Sequence, residues 1–248
     1  MSAAEPGPVL ILTAMKEELR AVLRRAKHAR RGPGGLFEAR FGKTTVVLVA
    51  TGDGARRAGL IAAAICDAAR PAALLGLGIA GALSADLAAG DLLAARRIRN
   101  GSGDAPVPDE RLLARAIALG ASAGTLVNVE RPAVAAGEKA SLALSLEGRG
   151  PAAADMESAA WARAAASRGI PYLVVRAISD RADEDLPAYL ARCLGDDGRI
   201  RRSAVVAHAL FQPATIPTLI RMKRRMDVCA ERLAEFLVAF LSGESDAA

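Results

Sequence analysis

The chain has 248 residues, 52% hydrophobic and 24% charged, a balance that fits a globular protein. Its net charge is +6, but the Arg and Lys residues are spread out without aromatic stacking partners, so no nucleic-acid partner is expected. Two histidines and three well-separated cysteines, Cys66, Cys193 and Cys229, are too few for a zinc site, a His-based triad or a disulfide framework; no metal is expected, and the thiols read as reduced core residues of a cytoplasmic protein.

Residues 1–8, MSAAEPGP, carry Glu5 and two prolines and read as a flexible lead rather than a signal peptide. The longest uncharged apolar run, Pro71 to Leu83, falls short of the roughly 20 residues that span a bilayer. No break in composition marks a linker, so one domain over 1–248 is expected, with a helical C-terminal extension over 187–241. Aromatics make up only 3%, which suits Ala-rich helices packed closely on a sheet.

In chain order, Val9-Leu-Ile-Leu-Thr13 is a first strand, ending at Ala14-Met15-Lys16-Glu17-Glu18. Leu19, Val22 and Leu23 then mark an amphipathic helix, whose positive end Glu17 and Glu18 would complement. Leu36 to Phe41 and Thr44 to Val49 form a hairpin across Gly42-Lys43. Next, a strand end passes through a Gly-rich turn at Gly54 into a helix reaching about Ala69; such a turn offers backbone N–H groups to an anion, with Arg56 and Arg57 beside it. Gly76, Gly78 and Gly81 spell G-x-G-x-x-G, but a dinucleotide fingerprint needs a long helix and an acid about 20 residues on. Here only Ala82 to Ala88 precedes Gly90-Asp91, and the next strand, Leu92 to Ile98, ends in basic residues, so an NAD-binding Rossmann oxidoreductase is the remote alternative. A polar loop from Asn100 to Pro108, a helix from Asp109 to Leu119, a strand from Thr125 to Val129 and a turn into a helix at Val134 to Lys139 follow.

The segment from Ala152 to Asp185 organises the rest. It reads as an acidic turn with Asp155, Met156 and Glu157, a helix closed near Gly169 and Pro171, and an apolar strand from Tyr172 that ends at Arg176-Ala-Ile-Ser-Asp180. Glu157 and Asp180 thus fall at opposite ends of one helix–strand unit, just outside regular structure, where side chains converge on a crevice. Beyond a bordering loop at Asp183 to Pro187, a turn at Asp196 to Arg199, a helix at Ser203 to Phe211 and a long amphipathic helix at Pro217 to Leu241 are expected. Arg221, Lys223, Arg224 and Arg225 read as a solvated face; Ile216, Leu219, Ile220 and Met222 beside them leave contact with a membrane surface open.

The pairing of ADMES with VVRAISD resembles the V-E-M-E turn and R-A-I-S-D strand end of the nucleoside phosphorylase and methylthioadenosine/S-adenosylhomocysteine nucleosidase superfamily. That resemblance implies a single-domain three-layer α/β fold with a mixed, twisted central sheet flanked by helices, a small-molecule purine nucleoside as substrate and a homodimer. It implies ribose contacts for Met156 and Glu157 and the purine N7 for Asp180, positioned by Arg176 and Ser179. Arg176 fits equally well as a structural partner of another acid. The first strand and its acidic sequel resemble the family's A-M-E-E-E, which places Glu18 at the attacking water, Met15 among the substrate contacts and Lys16 where the first acid stands. Gly78-Ile-Ala-Gly-Ala-Leu83 with Gly90-Asp91-Leu92 resembles the third motif, so the backbone of Ile79, Ala80 and Gly81 would line the sugar site; Ile79 stands where Ser or Thr is often found. Relatives contact the base through the region around Val134 to Lys139, but no aromatic lies between Phe41 and Trp161, which leaves the stacking of the base open. The ADMES and GIAGAL forms and the basic, apolar-edged tail resemble the hopanoid-associated branch, implicated in removing adenine from adenosylhopane.

The expected chemistry is release of adenine from a 5′-substituted adenosine through an oxocarbenium-like sugar. Water as acceptor needs a base, for which Glu18 stands ready. Phosphate needs an electropositive pocket, for which Arg20 and the turn with Gly54, Arg56 and Arg57 are the candidates. No cofactor is expected, inorganic phosphate being a co-substrate if the reaction is phosphorolysis. Glu18 points to hydrolysis and the hopanoid resemblance to phosphorolysis, so the acceptor stays open. A methylthioadenosine/S-adenosylhomocysteine nucleosidase of methionine salvage is the alternative; a catalytically silent nucleoside binder is disfavoured by the intact Glu18, Glu157 and Asp180.

Overall fold

Strand β1 (Val9–Thr13) is buried along its whole length, and its alternate residues feed two different cores. The computed structural model describes residues 7–101, 103–146, 150–187, 189–193 and 201–242; the lead over 1–6 and the turn expected at Asp196 to Arg199 lie outside them. The other strands are β2 (Lys27–Arg31), β3 (Phe37–Phe41), β4 (Thr44–Ala50), β5 (Ala73–Ala82), β6 (Leu92–Asn100), β7 (Gly103–Asp104), β8 (Ser122–Asn128), β9 (Ala152–Asp155) and β10 (Tyr172–Asp180). The helices are α1 (Lys16–Arg25), α2 (Ala55–Ala69), α3 (Glu110–Ala118), α4 (Ala136–Leu144), α5 (Ser158–Ala166), α6 (Tyr189–Arg192), α7 (Arg202–Phe211) and α8 (Ile216–Ser242).

The strands form one mixed sheet. β1 lies parallel to both β4 and β5, and the antiparallel meander of β4, β3 and β2 extends that edge. Parallel neighbours demand helical crossovers, which α1 and α2 supply on the two faces. At the other side β5, β10, β6, β8 and β9 pair in a cycle that returns to β5, so this half of the sheet closes on itself. Leu10, Leu12, Leu74 and Val174 face α2 and α5, where Ala58, Ala62, Trp161 and Ala162 are buried. Ile11, Leu75, Leu173 and Val175 face α1 and α8, with Leu19, Val22, Leu233, Phe236 and Phe240. Burial of each large apolar side chain contributes about 1.5 to 3 kcal/mol, so both helical layers are held mainly by this surface.

Several elements depart from the expectations. The three glycines of G-x-G-x-x-G lie inside strand β5 rather than in a turn opening a helix, so no dinucleotide-type turn is formed. β2 was not apparent because its KHARR residues are exposed throughout, and an edge strand of charged residues has no hydrophobic alternation to reveal it. β9 is made almost wholly of alanine, a weak strand former, and is held instead by pairing with β8 and β5 on either side. α5 ends at Ala166, a few residues earlier than expected, with Gly169 at φ 65° completing the turn into β10.

Candidate active site

Glu18 is the third residue of α1 and accepts the otherwise unpaired N–H groups at that helix start: those of Ala14 and Met15 donate to its Oε2 at 3.0 and 2.8 Å. Its other oxygen accepts the N–H of Ile79 from β5 at 3.1 Å. The expected helix-end role and an inward-facing carboxyl are therefore the same side chain. Burial pushes the Glu18 carboxyl up to about 7, partly countered by the Met15 N–H and by the nearby Arg176 guanidinium.

Arg176 has no exposed surface. Its guanidinium pairs with Asp155, reaches Ser158 Oγ at 3.0 Å, stands 3.6 Å from Glu157 Oε2, and lies over the Trp161 ring at 4.8 Å. It underlies Glu157 and Glu18, and among the described residues no hydrogen bond or ion pair joins it to Asp180. Gly78 is what permits this. A Cβ there would sit 1.8 Å from Arg176 Nη1 and 3.5 Å from Glu18 Oε1, so only glycine lets the guanidinium pass between β5 and the acids. Asp155 in turn accepts the N–H groups of Glu157 and Ser158 at 3.1 and 2.9 Å, which shapes the turn that presents Glu157.

Glu157 Oε1 accepts the N–H of Gly54 at 2.9 Å, so the Gly-rich turn before α2 contributes its backbone to a carboxylate of the protein itself. Burial raises the Glu157 carboxyl; Arg176 opposes that rise, while Asp155 and Asp53 add to it. Met156 and Met15 are half-buried beside these acids. Arg20, Arg56 and Arg57 are exposed, and Arg57 lies against Gly52, so the three cations are not gathered at Glu18.

Asp180 reaches the same region through strand register. Arg176 pairs with Gly78 and Ile178 with Ala80, then a bulge brings Asp180 opposite Gly81. Ser179 Oγ donates to Asp180 Oδ1 at 2.5 Å and lies 3.3 Å from the Ala80 carbonyl. Ile79, Ala80 and Gly81 thus run from Glu18 to Asp180, with Arg176 and Glu157 to one side. The second partner of Asp180 was not anticipated: Lys139 of α4, itself buried, donates to Oδ2. A Glu-Lys pair in the first turn of a helix reads as a solvated surface, and nothing in its spacing signals an inward ammonium. Beside this junction a groove of about 670 Å³ runs between Arg131–Glu138, Glu184–Pro187 and Thr218–Arg225 of α8. Among the described residues no cluster of potential metal ligands stands together, and no helix is long and apolar enough to cross a membrane.

Three carboxyls and one buried guanidinium around a glycine-bearing strand can stabilise a cationic sugar and relay protons, the demands of N-glycosidic cleavage. Comparison with solved structures finds the same fold over nearly the whole chain. An S-adenosylhomocysteine nucleosidase from Streptococcus pyogenes in complex with 5-methylthiotubericidin is 23% identical, with a TM-score of 0.73 over 98% of this chain and 99% of that one. A Helicobacter pylori nucleosidase mutant with 5′-methylthioadenosine in the active site is 18% identical, with a TM-score of 0.73 over 96% and 99%. Futalosine hydrolase of Helicobacter pylori is 18% identical, with a TM-score of 0.73 over 97% and 100%. No curated protein matches by sequence. The sequence profile of the phosphorylase superfamily matches residues 8–193, so the chain belongs to the phosphorylase superfamily.

Proposed function

We propose that this protein cleaves the N-glycosidic bond of a purine nucleoside, releasing the base with water as acceptor. The observation that carries the reading is Glu18: a buried carboxyl held by three backbone N–H groups, with its proton affinity raised to about 7, close to the value at which a general base works best near neutrality. In this mechanism Glu18 takes a proton as water attacks the anomeric carbon, and the C–N bond electrons leave with the base. Glu157 holds the ribose hydroxyls with Met156, and its charge steadies the oxocarbenium-like sugar. Asp180, held by Ser179, gives a proton to N7 of the leaving purine as those electrons move onto the base, and is left as a carboxylate. A phosphate dianion at the same place would meet Glu18 and Glu157 at close range, with Arg20, Arg56 and Arg57 turned to solvent.

For the substrate we infer an adenosine bearing a 5′ substituent, the hopanoid adenosylhopane being the finer reading and methylthioadenosine the alternative. The groove lined by Val134, Leu186, Met222, Arg221 and Arg225 lies beyond Lys139 and Glu184 rather than against the three acids, and its mixed lining would suit a large substituent that reaches past them. A lipid-bearing substrate also suits contact with a membrane surface through Ile216 and Ile220, exposed in the same helix as Arg221, Lys223 and Arg224, and through the exposed Phe211 at the end of α7. A cytoplasmic homodimer completes the reading, with Leu60, Val107 and Leu144 as exposed apolar positions available for self-association. The test is release of adenine from methylthioadenosine, adenosine and an apolar 5′-alkyl adenosine, each with and without phosphate. Release in phosphate-free buffer supports hydrolysis; strict dependence on phosphate overturns it and moves the acceptor site to the arginines.

A further inference from the structure

We propose that Lys139 is a positioning residue for the reaction: a buried ammonium that fixes Asp180 opposite the leaving base and stabilises the carboxylate left when its proton passes to the base. This rests on the assignment of Asp180 to the base. Lys139 is 1% exposed, and its three N–H groups have three acceptors, the Asp180 carboxylate and the carbonyls of Arg181 and Glu184 at 2.7 and 2.8 Å. A lysine with no exposed surface to spare carries a large desolvation cost, which a merely structural contact to two carbonyls would not offset. The carboxylate it meets is the one that Ser179 holds from the other side.

The surroundings are built to hold that ammonium in place. At the start of α4, Glu138 accepts the N–H of Val134 at 3.0 Å, and the Ala136 N–H donates to Asp185 at 2.7 Å, tying the first turn to the loop after β10. The Leu186 N–H closes the same junction onto the Val134 carbonyl at 2.8 Å. Neighbouring charges are already matched: Arg131 with Glu138 at 2.7 Å, Arg181 with Asp183 at 2.9 Å, and Arg225 of α8 with Glu184. The Cys229 thiol of α8 bonds the Ile178 carbonyl at 3.2 Å. Among the described residues, then, Asp180 is the one carboxylate at ion-pair distance from Lys139, with Asp183 acting only at longer range. The side chain that orients the base-facing carboxylate comes from α4 and the loop that closes over it, so this segment couples to catalysis through one ion pair.

The test is a double-mutant cycle of Lys139→Met and Asp180→Asn, read as kcat and KM for adenine release from a 5′-substituted adenosine that the wild type turns over. Asp180→Asn is expected to lower kcat by about 10² or more. Lys139→Met is expected to lower kcat by about tenfold or more with little change in KM, since the interaction matters at the reacting base rather than in ground-state binding. Adding Lys139→Met to Asp180→Asn should then cost less than about threefold further, because the lysine acts through the aspartate. Independent, multiplying losses would overturn the inference, as would a Lys139→Met enzyme with wild-type kcat. Should Lys139→Met alone fail to fold, leaving a buried charge unpaired, the double variant removes both charges and its comparison with Asp180→Asn decides the matter. Wild-type turnover in Asp180→Asn would instead overturn the assignment of Asp180, and this inference with it.

Discussion

Replacing Glu18 by Gln tests the proposed base through two independent readouts. The folded-state carboxyl is raised from its ordinary 4.5 to about 7, chiefly by burial. Below pH 4.5 both folded and unfolded chains hold the proton and the group is neutral to stability. Above it the unfolded chain ionises freely while the buried group resists, so the native state is penalised increasingly until pH reaches about 7, and by a constant amount beyond. At about 1.4 kcal/mol per pH unit the full penalty is about 3 kcal/mol, of which about 2 to 3 kcal/mol accrues between pH 5 and pH 8. Glutamine carries no such penalty. Its oxygen can still accept the Ala14 and Met15 N–H groups, but its amide faces the Ile79 N–H, a fixed cost of about 1 to 3 kcal/mol at any pH. The stability of the variant relative to wild type should therefore rise by about 2 to 3 kcal/mol from pH 5 to pH 8, measured by urea denaturation at both values. Its rate of adenine release should fall by about 10² to 10⁴. A stability difference that does not change with pH, or wild-type turnover in the variant, would refute the reasoning.

Other outcomes follow from the same contacts. Arg176→Met leaves Asp155 charged and buried without its partner and should destabilise the fold by about 3 to 5 kcal/mol, whereas Arg176→Met with Asp155→Asn should recover much of that loss in urea titrations. Gly78→Ala places a methyl 1.8 Å from Arg176 Nη1; the displaced guanidinium should lower both the thermal midpoint and the turnover, and a variant with unchanged melting would contradict the packing described. Trp161→Ala empties the site against which Gly76 and Arg176 pack, an expected cost of about 3 to 5 kcal/mol, checked by chemical denaturation.

Much of this protein was legible in its residues because the signals are local. The run Val9 to Thr13, the hairpin at Gly42-Lys43 and the helix–strand unit ending at Asp180 carry their periods and turn chemistry in a few neighbouring positions. The acids Glu18, Glu157 and Asp180 are named through the resemblance of their short motifs to those of a family, since period and turn chemistry alone make Glu18 only a helix-end charge. Where local signal is weak, tertiary structure decided. KHARR and the alanines of β9 become strands only because partners pair with them, and Gly76, Gly78 and Gly81 become strand residues because Trp161, Arg176 and Asp180 need the space that a Cβ would occupy. The charged partners were decided there too. That Arg176 answers Asp155, and that Lys139 turns inward to Asp180 rather than out to water, depends on which elements the closed half of the sheet brings together across 21 and 41 residues of sequence. A buried charge is stable only opposite its partner, and a partner so far along the chain leaves no trace in the spacing around either residue.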